Sequence, residues 1–243
     1  ELQLETVGDN GPMQLVRRND GDFHTRLKPL MTRSAFDPEI DRAVAEILAA
    51  VRARGDGALV EYARAFDGVN LSPASFAVSA DELSEAESLL DRKTCKAIRT
   101  AVRHVRDFAK QRIPEAWSFL PRPGVIVGER FAPLSRVGCY VPGGTAPLIS
   151  TVVHTVTLAS TAGVQEIVVT TPPMPDGKVN PAILYAALKA GATSVYRLGG
   201  VYGIGALAFG TESIRKVEKI VGPGNAYVTA AKRQVYGEVA LDL

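Results

Sequence analysis

From Val137 to Leu241 the chain repeats one unit four times: a short strand, a loop of glycine, proline or small polar residues, and a helix. Strict alternation of this kind predicts a parallel sheet with right-handed crossovers, and it places ligands at the carboxyl ends of the strands. The first unit is Val137-Gly-Cys-Tyr-Val-Pro-Gly-Gly-Thr-Ala-Pro147, a strand running through Pro142-Gly143-Gly144 into a helix after Pro147. The strand Glu166–Pro172 and the helix Pro181–Gly191 follow. Ser194–Leu198 then leads through Gly199-Gly200 into a helix of small residues. Lys219-Ile-Val221 leads through Gly222-Pro-Gly-Asn225 into a last helix ending near Tyr236.

The 243 residues, 46% of them hydrophobic, suffice for one large or two modest domains, and two are expected. A net charge of +2, with no run of five like charges, gives no reason to expect nucleic acid or a membrane surface as partner. No apolar stretch reaches the roughly 18 residues of a membrane span, and the amino terminus carries no basic-then-apolar signal. Cys95 on a helix face and Cys139 in a buried strand read as reduced thiols packed as small apolar groups, which suits a cytoplasmic protein.

Residues 1–30 are polar, with turns at Gly8–Gly11 and Asn19–Asp22, and they read as an extended or loosely packed arm. Residues 31–136 read as mainly helical. Asp37 and Pro38 open a helix with Ile40, Val44, Ile47, Leu48 and Val51 on one face and Gly55 as its stop. A second helix carries Leu59, Tyr62, Ala63 and Phe66, with Asp56 as its expected cap. Ser79-Ala-Asp-Glu82 has capping-box spacing. Beyond Asp91, Cys95, Ile98, Ala101, Val102, Val105 and Phe108 form an apolar stripe opposite Arg99, Arg103, Arg106 and Lys110. Pro114, Pro121, Pro123 and Pro133 separate this block from the sheet, around a strand Gly124–Val127, and the domain connection is placed at 133–137.

Glycine lets a backbone approach a phosphate and aim its N–H groups from the positive end of a helix. Three such turns at one sheet edge, near residues 143, 200 and 223, point to a nucleotide or another anion. The fingerprint G-x-G-x-x-G is absent in its usual form, since Gly200-Val-Tyr-Gly-Ile-Gly205 spaces its glycines otherwise, and no G-x-x-x-x-G-K-[ST] loop occurs. Asn225 suits either an N-cap or an amide that reaches a ribose or base. Tyr140 and Tyr202 suit either a core ring with a satisfied hydroxyl or a ring stacked on a flat ligand. His24, His104 and His154 have no ligand-spaced companion, so no zinc site can be written from them. His104 is expected in solvent, and His154 as a packed or backbone-bonded core residue, with a catalytic base as its alternative.

At Val137–Leu148, at Gly199-Gly200 with Ala206–Ser213, and at Lys219–Val228, the sequence closely resembles histidinol dehydrogenase. The likeness takes in Val51–Asp56, Glu61-Tyr62 and Phe66-Asp67, and runs from about residue 28 to the carboxyl end. The family's enzymes are zinc-dependent homodimers that use two NAD⁺ to take an amino alcohol through the aldehyde to the acid, the last step of histidine biosynthesis. The resemblance implies an incomplete Rossmann-like, NAD-side domain at 137–243, after the mainly helical part of a second, substrate-side α/β domain at 31–136. The family's NAD contacts fall on Tyr140, Tyr202 and Asn225. Three positions depart from the family pattern: Tyr202 usually holds glutamine, His154 typically methionine, and Ser160 usually lysine or arginine. In the family, the segment matching Val239–Leu243 runs on into a substrate-binding serine. The Glu-His acid–base pair and all the zinc ligands lie further on still. The expectation is therefore no catalytic and no metal residue in these 243 residues, an inactive chain on its own, and part of the first domain's sheet left unpaired. Two alternatives remain open: a relative that oxidises another polar alcohol, and a non-catalytic nucleotide-binding half.

Overall fold

The computed structural model describes residues 15–31, 37–143 and 147–242. The turn at residues 8–11, Gly144 of the first sheet loop, and Leu243 lie outside the described residues. The chain divides into two compact units, one up to Asp37 and one from Pro38 onward. In the first, part of the segment read as an extended arm is a helix, α1 (Phe23–Met31), with Arg26 set near Asp20 and Asp22.

The second unit begins with α2 (Pro38–Arg54), α3 (Asp56–Asp67), a 3-10 turn (Pro73–Ser75), α4 (Ala80–Glu85) and α5 (Arg92–Lys110). A hairpin of β1 (Trp117–Arg122) and β2 (Val125–Glu129) follows. Then come β3 (Arg136–Tyr140), α6 (Ile149–Thr161), β4 (Glu166–Thr170), α7 (Pro181–Ala190) and β5 (Ser194–Tyr196). The chain continues through α8 (Gly200–Phe209), β6 (Lys219–Val221), α9 (Ala226–Gln234) and β7 (Ala240–Leu241). The helix boundaries follow local chemistry. Asn180 accepts from the Ala182 amide, Pro181 presets the first turn of α7, and Gly191 ends it in the left-handed region.

The sheet is parallel, in the order β5-β4-β3-β6-β7. Among the described residues this is a Rossmann-like order one strand short, with the reversal of direction falling between β3 and β6. Side chains alternate across it. Val137, Cys139, Ile167 and Val169 pack on one face with Val152 and Val156 of α6 and Ile183 of α7. Tyr140, Val168 and Ile220 pack on the other with Ile204 and Leu207 of α8 and with Val44 and Leu48 of α2. The β5 edge is covered by Phe76–Val78, through Val78 N–H to Val195 O (2.8 Å) and Arg197 N–H to Phe76 O (2.9 Å).

Five local expectations are corrected. Asp56 does not cap α3: Gly55 holds the N-cap position at φ 51°, and the Glu212 carboxylate takes the Asp56 amide at 2.8 Å. Asp56 itself accepts from the Ser213 hydroxyl. Ser79 does cap α4 at Glu82 N–H (3.1 Å), but the Glu82 carboxylate pairs with Arg197 at 2.7 Å instead of closing the box. The buried stripe of α5 runs Cys95, Ile98, Val102, Ala109, which leaves Ala101 and Phe108 exposed beside it. The strand before Gly124 was hidden by Pro121, which the hairpin accommodates where its register shifts between Phe119 and Arg122. His154 is exposed, because α6 turns Val152, Val153, Val156 and Thr157 inward.

Cys95 and Cys139 are both free and buried. Burial pushes the Cys139 thiol up to about 12, so the reactive thiolate is scarce at pH 8, at roughly 10⁻⁴ of the population. Iodoacetamide at that pH is expected to leave Cys139 unmodified in the folded protein and to modify it in urea, as read by intact mass.

Candidate functional site

The strand order reverses between β3 and β6, and in open α/β sheets the ligand crevice lies at such a reversal, beyond the carboxyl ends of the strands. Tyr140 ends β3, and the Gly222-Pro-Gly-Asn225 turn leaves β6. These two backbones touch: a Cβ on Gly222 would lie 2.1 Å from the Tyr140 carbonyl oxygen. The exits of β3, β4 and β5 also converge, on the ring of Pro172. A Cβ on Gly143 would come within 2.4 Å of that ring and one on Gly199 within 2.6 Å. Glycine is required at these positions by close approach, as three loops share one small space. Gly203 and Gly205 serve another purpose, letting α8 close on the Leu198 carbonyl and on Leu48 and Val51 of α2.

Across the crevice the Tyr140 hydroxyl accepts from Gly200 N–H at 3.2 Å, fixing the start of α8. Tyr202, in the first turn of α8, is 1% exposed, and its hydroxyl donates to the Asp67 carboxylate at the end of α3. The structure therefore brings Tyr140 and Tyr202 together, and it adds Asp67. Burial pushes the Tyr140 hydroxyl up to about 12. Burial and the neighbouring Asp67 push Tyr202 far above the usual phenol range. Asp67 is itself raised by burial, with the hydrogen bond from Tyr202 partly opposing.

Because the folded state holds the Asp67 proton more tightly than the ordinary value of 3.8, stability falls as pH rises from that value through the raised one. Above this window the ionised carboxylate is a constant cost. Asp67→Asn keeps an oxygen acceptor and removes the charge. It is expected to unfold at higher urea than the parent at pH 7, by about 1 kcal/mol or less after solvent screening. The difference should vanish at a pH well below 3.8. An advantage that stays the same at both pH values would contradict this origin.

Asn225 is the N-cap of α9, its side-chain oxygen accepting Val228 N–H at 3.0 Å. The residue is exposed, which leaves its NH₂ group facing solvent beside the turn from Gly222. Further features of this edge escaped sequence reading. The amides of Val201 and Tyr202 have no acceptor among the described residues, as at the start of any helix. The Thr171 hydroxyl, just before Pro172, is buried with no partner among the described residues. Phe66, 60% exposed, stacks on Tyr62 at 5.4 Å, and Tyr62 lies 6.4 Å from the Tyr202 ring. An acidic residue in the last turn of a helix, against the helix dipole, was the one signal in the sequence for Asp67.

Among the described residues no three of His, Cys, Asp and Glu gather as a metal site, and His24, His104 and His154 are separately exposed. These residues do not fit the zinc that the resemblance implies. Ser160, the other departure on α6, packs against Gly191 at the end of α7, where a Cβ would meet its hydroxyl at 2.8 Å. No helix of the described residues is long and apolar enough to cross a membrane.

The family model for histidinol dehydrogenase matches residues 31–243. The chain belongs to the histidinol dehydrogenase family. It is 44% identical over 223 residues to histidinol dehydrogenase of Synechococcus sp., covering 91% of this chain and 51% of the relative. With that of Geobacillus kaustophilus the identity is 46% over 202 residues, 83% of this chain and 47% of the relative. The crystal structure of histidinol dehydrogenase from Elizabethkingia anophelis superposes with a TM-score of 0.82 at 36% identity, over 90% of this chain and 51% of that one. The chain thus spans about half the length of the curated family members it matches.

Proposed function

We propose that this protein takes part in the NAD-dependent oxidation of L-histidinol through the aldehyde to L-histidine, in the cytoplasm and as a homodimer. On this reading residues 137–243 are the dinucleotide side and residues 31–136 belong to the substrate side, with an amino alcohol as the small-molecule substrate. The observation that carries the proposal is the crevice at the strand reversal. There Tyr140, the α8 amides that have no acceptor among the described residues and the exposed side chain of Asn225 sit at one sheet edge, in a chain of the histidinol dehydrogenase family.

The donor set fits a dinucleotide. The Val201 and Tyr202 amides, at the positive end of α8, suit a pyrophosphate. Tyr140 holds the Gly200 amide, so the turn is set before any ligand arrives. When bound, NAD⁺ supplies the hydride acceptor for oxidation of the alcohol carbon. Asn225 keeps its oxygen on α9 and offers its NH₂ outward.

Calorimetric titration with NAD⁺ tests the reading, with saturable one-to-one binding expected. Asn225→Asp should keep the cap, changing unfolding free energy by less than about 0.5 kcal/mol, while weakening NAD⁺ about tenfold through lost donation and added negative charge. Absence of binding at millimolar NAD⁺ would remove the proposal.

A further inference from the structure

Asp67 occupies an unfavourable place for a carboxylate. It is the last residue of α3, where the helix dipole repels negative charge, and burial adds a desolvation cost. The hydrogen bond it accepts comes from the Tyr202 hydroxyl, 135 residues further along the chain. Tyr202 lies on the first turn of α8 and is fully buried, so its ring is held by the core and its hydroxyl is spent on Asp67. On its other side the same turn is held by the Tyr140 hydroxyl, through the Gly200 amide. Two tyrosines and one carboxylate therefore grip the segment whose Val201 and Tyr202 amides have no acceptor among the described residues.

A carboxylate facing the phosphates of a dinucleotide would repel them. Accepting from behind the turn instead, Asp67 orients amide donors without meeting the ligand. We infer that Asp67 is a positioning residue for the ligand-facing turn of α8, acting through the Tyr202 hydroxyl; this rests on the reading that a dinucleotide binds at this edge. Tyr202, on the same argument, contributes its backbone amide and not its ring.

The test is calorimetric NAD⁺ affinity for the parent protein, Asp67→Ala, Asp67→Asn, Tyr202→Phe and the double variant Asp67→Ala/Tyr202→Phe, each paired with urea unfolding. Loss of the bond is expected to weaken NAD⁺ about tenfold in Asp67→Ala and in Tyr202→Phe. The double variant should bind no more weakly than the worse single one, since both remove the same contact. Asp67→Asn, which keeps an acceptor oxygen, should stay within about threefold of the parent. A purely structural role would lower the urea midpoint without this pattern in affinity.

Parent-like binding by Asp67→Ala and Tyr202→Phe, or losses that add in the double variant, would overturn the inference while leaving the dinucleotide reading intact. Failure of the parent to bind NAD⁺ would remove both. Should Asp67→Ala not fold, Tyr202→Phe, which deletes one oxygen atom, and Asp67→Asn decide the matter: parent-like affinity in Tyr202→Phe overturns the inference, and a loss there with retention in Asp67→Asn supports it.

Discussion

Alanine at Gly222 is expected to lower the unfolding free energy by about 3–5 kcal/mol, from backbone strain together with overpacking. Gly222 sits at φ +123°, which L-residues rarely adopt, and an added Cβ would lie 2.1 Å from the Tyr140 carbonyl oxygen and 3.3 Å from its nitrogen. Both atoms are backbone. Relief therefore requires β3 and β6 to separate, where Cys139 pairs with Val221 just before the turn. The same glycine donates its N–H to Asp242 at 2.7 Å and accepts from Lys232 at 3.0 Å, so a shift would loosen α9 too. Gly237 is the control, with φ +95° but nothing within 4 Å of the added atom. Gly237→Ala should cost only about 1 kcal/mol. Urea denaturation of the two variants separates the terms: equal losses would mean that the contact with Tyr140 carries no weight.

The elements of this sheet were legible because each announces itself locally. Apolar runs at 137–141, 166–170 and 219–221 lead into glycine or proline, and α7 between them starts and stops at residues suited to caps, Asn180 and Gly191. Strand alternation implied parallel pairing and a ligand edge, which is how Tyr140 and Asn225 came to be singled out. The neighbours of each strand were not legible, since the reversal between β3 and β6 is decided by how α8 and α9 pack on the far face. Orientation around α8 was hidden for a related reason. Every residue from Val201 to Ala208 is buried, and a helix apolar on all sides has no face to betray where Tyr202 points. α6 misled in the opposite way, with His154 exposed among apolar neighbours on its open side. The contacts that tie α3 to the two ends of α8, Asp67 with Tyr202 and Glu212 with Asp56, join residues more than 130 positions apart. Spacing rules operate within an element and carry no information about such pairs.

Truncating Asp242 to alanine should cost about 3–5 kcal/mol, because it strands a buried charge. Lys232, in the last turn of α9, is 4% exposed. Its ammonium donates to the Gly222 carbonyl and to the Asp242 carboxylate, which also accepts the Gly222 amide. Three segments thus meet on one charge pair: the end of α9, the turn leaving β6, and the residue after β7. Without the carboxylate the ammonium keeps one neutral acceptor and little water, and the Gly222 amide loses its partner. The pair itself is worth much less than this loss suggests, because bringing the Lys232 ammonium out of water is costly. Lys232→Met in the Asp242→Ala background removes the stranded charge and fills the space with an apolar chain of similar length. It should recover about 2 kcal/mol or more in urea denaturation at pH 7. A double variant no more stable than Asp242→Ala would assign the loss to the Gly222 amide instead, and a single-variant cost under about 1 kcal/mol would mean that water reaches the ammonium.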